Sequence, residues 1–381
     1  MKLIHISDLH IGKRVNEFPM LEDQKYILRQ ILAIADAQQA DGIMIAGDIY
    51  DKPVPSAEAV QVFDWFLTEL ADRKKQVYAV SGNHDSAERI AFGAQLMSGR
   101  GVFVSPVYRG DTAKFTMTDS YGELCLYLLP FVKPAVVRHA LQEMSDREET
   151  PMPESYHEAV KLAVAHMNVD TTKRNILIAH QFVTGAGRCD SEEVSVGGLD
   201  NVDADVFDEF DYVALGHIHS PQSLKRETVR YCGTPLKYSF SEAAQEKSVT
   251  VVEFREKGNI ALSTVPLVPL HDLRKIRGTY LEVTAKSFYQ DTDTQDYVQI
   301  TLTDEEDIPD GLQKLRVIYP NLMRLEYDNS RTRHSRVVER AEEIEQKTEL
   351  ELFAEFYEMQ NNQPMSEEQS AFVTRLIEES R

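Results

Sequence analysis

Five apolar runs in this chain stop abruptly at small clusters of aspartate, histidine and asparagine, and this recurrence constrains the fold more than any other feature. Lys2–Ile6 leads into Ser7-Asp8-Leu9-His10, Gly42–Ala46 into Gly47-Asp48-Ile49-Tyr50-Asp51, and Gln76–Val80 into Ser81-Gly82-Asn83-His84-Asp85. Asn175–Ala179 ends in His180, and Tyr212–Leu215 in Gly216-His217-Ile218-His219. Short apolar, β-branched runs without polar alternation read as strands buried on both faces. Ligands gather beyond strand ends in open α/β sheets, so polar groups at five such ends can converge on one rim. A single D-x-H or N-H-D is common in ordinary loops. Five in succession, each after a predicted strand, are not a chance assembly.

Carboxylate, carboxamide and imidazole together make a mixed oxygen and nitrogen set. It suits Mn²⁺, Fe²⁺ or Zn²⁺ and has too many nitrogens for Mg²⁺ or Ca²⁺. Six or seven such ligands are too many for one ion and right for two, with the two oxygens of Asp48 suited to bridge them. Two divalent cations about 3.5–4 Å apart clamp a phosphoryl group and activate water. Gly47, Gly82 and Gly216 stand where the chain must leave a strand sharply. His139, His157, His166, His271 and His334 read as ordinary core or surface histidines. Asp203, Asp205, Asp208 and Asp211 read as a solvated turn, since the glycine and terminal glutamate of a calcium loop are misplaced.

Further strands are expected at Glu123–Pro130 and Ser248–Phe254, and helices over about 21–39, 56–72 and 156–168. Some strands follow one another directly, so a mixed two-sheet sandwich flanked by helices fits better than one doubly wound sheet. Pro266 and Pro269 punctuate its end. Beyond them Thr279–Thr284, Tyr297–Thr303 and Asn321–Tyr327 read as strands, with a helix over about 311–318, giving a small α+β cap. After Asp328 the pattern is helical and charged, and Ser366 with Gln369 makes a capping box for a last helix. Three segments result: 1–268, 269–328 and 329–381.

No uncharged apolar run approaches the roughly 18 residues of a membrane span. His5 and Asp8 interrupt the N-terminus where a signal peptide needs an apolar stretch. Cys125, Cys189 and Cys232 lie far apart without CxxC pairing, as in a reducing cytoplasm, so a cytoplasmic protein is expected. Net charge is −21, from 41 Lys and Arg against 62 Asp and Glu, which by itself discourages nucleic-acid binding. The imbalance is uneven, because residues 339–381 alone hold 12 acidic and 4 basic side chains. Metal-binding carboxylates also count as negative while their cations attract phosphate.

D-x-H, GD-x-x-D, GNHD, a lone histidine and GH-x-H, in that order, resemble the calcineurin-like metallophosphoesterases. DLHIGK, GDIYDKPVPS, SVGGLDNVDADVF and YCGTPLKYSFSE narrow this to a resemblance, over essentially the whole chain, to the SbcD family. Its members are nuclease subunits of SbcC–SbcD complexes, which act on DNA in double-strand-break repair, recombination and replication-fork processing. The resemblance implies two ions, with Mn²⁺ as the working metal. Asp8, His10, Asp48 and His219 would hold one, and Asp48, Asn83, His180 and His217 the other. His84 would stabilise the scissile phosphate and protonate the leaving oxygen, oriented by Asp51 or, as runner-up, Asp85. The activities implied are a 3′–5′ exonuclease on duplex ends and an endonuclease on single strands and hairpins.

Leu352, Phe353, Phe356 and Tyr357, then Phe372, Val373, Leu376 and Ile377, form two apolar stripes in the tail. Packing within the chain would account for either. In SbcD-like proteins this region docks the coiled-coil base of the SMC-type ATPase SbcC, and that partner is expected here. Phe63, Trp65 and Phe66 give the 56–72 helix more aromatic surface than one face needs, so homodimerisation through it and the segment 86–97 is expected. Lys13, Arg14, Lys52 and Arg89 lie near the motif loops and are the expected phosphate contacts on DNA. A metallophosphoesterase for a small nucleotide or phosphoprotein needs neither cap nor tail, and a non-catalytic scaffold needs no intact ligand set.

Overall fold

Leu3, Met44, Tyr78, Leu126, Ile176, Tyr212 and Val252 pack into one apolar layer, and this layer joins two six-stranded sheets face to face. In the computed structural model, which describes residues 1–144, 152–192, 201–332, 350, 353–354, 356–357 and 364–379, the chain divides into units Met1–Leu270 and His271–Arg381. The first sheet of the larger unit runs Ile260–Pro266 (β14), Ser248–Phe254 (β13), Lys2–Ile6 (β1), Gly42–Ala46 (β4), Gln76–Val80 (β5) and Val102–Val104 (β6). The second runs Gln222–Leu224 (β11), Arg226–Tyr231 (β12), Tyr212–Gly216 (β10), Arg174–His180 (β9), Gly122–Leu129 (β8) and Ala113–Asp119 (β7). A hairpin of Arg14–Val15 (β2) and Phe18–Pro19 (β3) leaves the end of β1.

The motif-bearing strands all lie inside their sheets and run parallel to one another, β1 to β4 to β5 in one sheet and β9 to β10 in the other, while β13 meets β1 antiparallel on its other side. Their C-terminal ends therefore open on the same side within each sheet. Every residue of β4, β9 and β10 is buried, as expected for strands covered on both faces. Helices Leu21–Ala37 (α1) and Ala57–Asp72 (α2) bury Ile27, Leu28, Ile31, Phe63 and Phe66. Ser56 caps α2 by accepting from the Ala59 amide. Two short helices follow, Ala87–Ile90 (α3) and Ala94–Ser98 (α4). Pro134–Met144 (α5) and Tyr156–Ala165 (α6) cover the outer face of the second sheet through Val137, Leu141, Ala159 and Ala163.

Phe63 and Phe66 thus belong to the core, and Trp65 is half-buried with the Arg29 guanidinium 5.5 Å from its ring centroid. The aromatic excess read in the α2 sequence is mostly inside.

The second unit departs from its sequence reading. Its strands are Leu273–Gly278 (β15), Tyr297–Leu302 (β16) and Leu322–Tyr327 (β17), all parallel and in sequential order. The stretch 279–284, expected as a strand, is helix Tyr280–Thr284 (α7), followed by Lys286–Tyr289 (α8). The reason is local: Thr279 accepts from the Glu282 amide and the Glu282 carboxylate accepts from the Thr279 amide. This reciprocal cap overrides the β-branched character of the stretch. With Gly311–Arg316 (α9) crossing to β17, the unit is β-α-β-α-β rather than β-β-α-β. Val283, Val298, Ile300, Leu302, Leu315 and Tyr319 are its buried core. In the tail, Glu367–Glu379 (α10) is helical, and Gln369 and Ser366 complete the expected box. Leu352, His334 and residues 193–200, including most of the SVGGLDN stretch, lie outside the described residues.

Candidate metal centre

The loops after β1 and β4 continue side by side beyond their strands. Asp8 donates its amide to Gly47 O at 3.0 Å, His10 to Asp48 O at 2.9 Å and Ile11 to Ile49 O at 2.9 Å. To turn their side chains onto the rim, Asp8, His10 and Asp48 adopt φ of 53°, 43° and 48°, and His217 adopts 102°. Non-glycine residues there are strained by roughly 1–3 kcal/mol each and persist where surrounding structure dictates them. Asp85 fastens the loops after β4 and β5, its carboxylate accepting from the amides of Ile49, Tyr50 and Gly82 at 2.9–3.1 Å. Gly47, at φ 86°, leaves room for His180, since a Cβ would overlap the imidazole. A Cβ on Gly216 would overlap the Ala46 carbonyl and stand 2.8 Å from His180 Nδ1.

Asp48 Oδ2 sits amid three imidazoles, 3.4 Å from His180 Nε2, 3.6 Å from His10 Nε2 and 3.9 Å from His84 Nε2. On one side, ligand atoms of Asp8, His10 and His219 lie within 4.8 Å of one another. On the other, Asn83 Oδ1 is 2.9 Å from His180 Nε2 and 3.0 Å from His217 Nδ1. Asp8, Asp48 and His180 form a further group within 4.8 Å. The structure therefore brings together Asp8, His10, Asp48, Asn83, His180, His217 and His219, with His84 at the edge.

The set fits divalent cations. His10 Nε2 and His219 Nε2 face each other at 3.2 Å, a spacing that requires a proton or a cation between their lone pairs. Burial holds both rings well below the usual histidine range and hence neutral, the form that binds metal. Burial pushes the Asp8 carboxyl up to about 8. Burial would also raise Asp48, but His180, His10 and His84 outweigh it and hold the carboxyl well below the usual range. Burial would lower the His180 ring, but Asp48 and Asp8 outweigh it and raise it to about 9. His10 and His219 stay neutral, so the two buried carboxyl groups leave room for added positive charge. His180 Nδ1 lies 2.9 Å from the Ala46 carbonyl, which leaves Nε2 turned to the centre.

The orientation of His84 differs from the sequence expectation. Its Nδ1 lies 3.1 Å from the backbone carbonyl of Asp51, so the contact with that residue runs through the main chain. The Asp51 carboxylate is drawn instead to Lys13 Nζ at 2.8 Å. Asp85 is engaged by the backbone amides just described. Of the basic residues expected to meet DNA, Lys13 is thus paired, Arg14 donates to the Glu17 carbonyl, and Lys52 and Arg89 are exposed. Asp205 and Asp208 share Lys225 on an exposed surface, whereas Asp211, its side chain only 9% exposed, takes the Asn175 amide and Lys257.

A layer behind the ligands escaped the sequence reading. Gln24 of α1 donates to the carbonyls of Leu9 and His10 and to the Tyr238 hydroxyl, while Tyr238 donates to Leu9 O. Ser191 Oγ lies 2.6 Å from His219 Nδ1 and donates to Glu242 Oε1 at 2.6 Å. Glu192 accepts the His219 amide at 2.7 Å, and burial pushes its carboxyl up to about 7. Glu242 and Lys247 form a buried pair at 2.6 Å. Tyr238 and Glu242 lie in the segment YCGTPLKYSFSE, noticed in the sequence only as a family signature.

Residues 1–221 match the model of the calcineurin-like phosphoesterases, and 269–361 match that of the Type 5 capsule protein repressor C-terminal domain. The D subunit of the nuclease SbcCD from Staphylococcus epidermidis is 32% identical over 384 residues, covering 99% of this chain and 98% of that protein. Among solved structures, TT1561 of Thermus thermophilus aligns with 69% of this chain and 98% of its own at 12% identity and TM-score 0.39. A dimetal phosphatase from Danio rerio aligns with 70% of this chain and 96% of its own at 11% identity and TM-score 0.43. No helix among the described residues is long and apolar enough to cross a membrane. With its full-length relative and its matched phosphoesterase model, the chain belongs to the SbcD family of SbcCD nuclease subunits, within the calcineurin-like phosphoesterases.

Proposed function

We propose that the chain is the nuclease subunit of an SbcC-partnered complex and hydrolyses DNA phosphodiesters at a pair of Mn²⁺ ions. The observation that carries this reading is Asp48 Oδ2 amid three imidazoles, with a separate ligand cluster on either side. Asp8, His10, Asp48 and His219 would hold one ion, and Asp48, Asn83, His180 and His217 the other. Bound there, the cations supply Lewis-acid stabilisation of the phosphoryl oxygens and activation of water. His84 keeps Nδ1–H on the Asp51 carbonyl, so the proton it gives the leaving oxygen sits on Nε2, the atom facing Asp48. The main-chain contact of Asp51 thus does the orienting that its carboxylate was expected to do.

The SbcC-like ATPase docks on the tail, where Phe353, Phe356, Phe372 and Leu376 are exposed. A second copy of the chain packs on α2 to α4, where Val60, Phe92 and Leu96 are exposed. Lys52 and Arg89 remain available for DNA phosphates. The purified chain should cut a blunt duplex and a hairpin with Mn²⁺, alone or once the ATPase is added, and His84→Ala should abolish cutting. Turnover of bis-p-nitrophenyl phosphate without DNA cleavage, even with the ATPase present, would overturn the DNA reading while leaving the phosphoesterase.

A further inference from the structure

Four buried polar groups that take no part in the chemistry, Glu192, Thr234, Glu242 and Lys247, meet behind one ligand, His219. The Ser191 hydroxyl donates its only proton to Glu242 Oε1, so towards His219 Nδ1, 2.6 Å away, it can only accept. This fixes His219 as the Nδ1–H tautomer and turns the Nε2 lone pair to His10. Glu242 is fully buried among donors: Lys247 Nζ at 2.6 Å, Ser239 Oγ at 2.9 Å, Thr234 Oγ1 at 3.3 Å and the Tyr238 amide at 3.3 Å. Lys247 also donates to the His219 carbonyl at 3.0 Å. Ring, amide and carbonyl of His219 are therefore all gripped from the segments 189–192 and 240–247.

The other half of the centre is oriented by different means. His180 Nδ1 meets the main-chain carbonyl of Ala46 at the end of β4, a partner that belongs to the sheet itself. Ser191 is one side chain in the connection after β9. A tautomer set by sheet backbone persists as long as the fold does, whereas one set by a hydroxyl can be removed alone.

We propose that Ser191, backed by the Glu242–Lys247 pair, is a positioning residue for His219 and sets the affinity of the Asp8–His10–His219 ion separately from that of the Asn83–His180–His217 ion. This rests on the two-ion reading above. The test is a Mn²⁺ titration of the full chain by calorimetry, with melting of the metal-free protein in parallel, for wild type, Ser191→Ala and Ser191→Thr. Wild type should take up two ions. Ser191→Ala should keep one at wild-type affinity and bind the other roughly 10–100-fold more weakly. Ser191→Thr, which retains a hydroxyl, should restore it. Wild-type behaviour in Ser191→Ala overturns the proposal, as does equal weakening of both ions with a lowered melting temperature, or failure of threonine to rescue. A wild type that never takes up a second ion overturns the two-ion reading as well, and shows this before any variant is made.

Discussion

At its first residue strand β9 carries Arg174, whose guanidinium pairs in two places with Asp119 at 2.6 and 3.1 Å and donates to the carbonyls of Gly122, Glu123 and Arg255. The N-terminal ammonium joins the same carboxylate at 3.1 Å. At its last residue the strand carries His180, beside a carboxyl pushed up by burial and loops in left-handed backbone. Both ends bury charge, but the first balances its carboxylate with a guanidinium and an ammonium, whereas at the second His180 offsets only part of two carboxyl groups. The second leaves an electrostatic deficit that a divalent cation fills, and the rigid sandwich between them holds the deficit open. Stability and binding capacity have thus been assigned to opposite ends of one strand.

Substitutions should keep the two ends apart. The largest effect is expected from Asp48→Asn, which should take up neither Mn²⁺ ion in a calorimetric titration and leave nuclease activity at background. His84→Ala should bind both ions normally while kcat falls roughly 10²–10⁴-fold. An empty centre in that variant would contradict the role given to His84. At the opposite end, Arg174→Ala should lose about 1.5–3 kcal/mol in urea unfolding, because Asp119 keeps only the N-terminal ammonium and three carbonyls lose their donor, with metal stoichiometry unchanged.

The Arg174 guanidinium holds the Asp119 carboxyl well below the usual carboxylate range. A depressed folded pKa stabilises the protein above the unfolded value near 4 and is lost as pH falls towards the folded one. Asp119→Asn should therefore cost about 2 kcal/mol at neutral pH and progressively less below pH ~4 in chemical-denaturation midpoints. The smallest effect is expected from Asp8→Asn in chelator. A carboxyl raised to about 8 weakens the metal-free fold as pH climbs from its unfolded value, so the amide should stabilise that form by about 1 kcal/mol at neutral pH. Metal-free melting that falls instead would blur the division between the two ends.

The rim was legible from the sequence because its ligands follow or end short, mostly apolar strands, and β1, β4, β5 and β13 occupy the expected residues. Arg174 was not legible: its partners lie 51 to 81 residues away and no local pattern marks them. The same holds for Ser191 and Glu242, whose meaning arises only when two connections meet behind His219. Thr279–Thr284 failed for the opposite reason, since the cap signal T-x-x-E was present and β-propensity was preferred to it. His84 shows a third kind of limit, because its partner is a carbonyl and every residue carries one.

Gly216 carries a consequence for inheritance. It ligates nothing, yet any other side chain there would strike the carbonyl that orients His180. Every single-base change that replaces it should therefore behave as a null allele while leaving all the ligands encoded. A genetic screen for inactive chains would return such silent-looking glycine alleles beside the histidine ones, and the mutational target of this centre is wider than the set of atoms that would touch its ions.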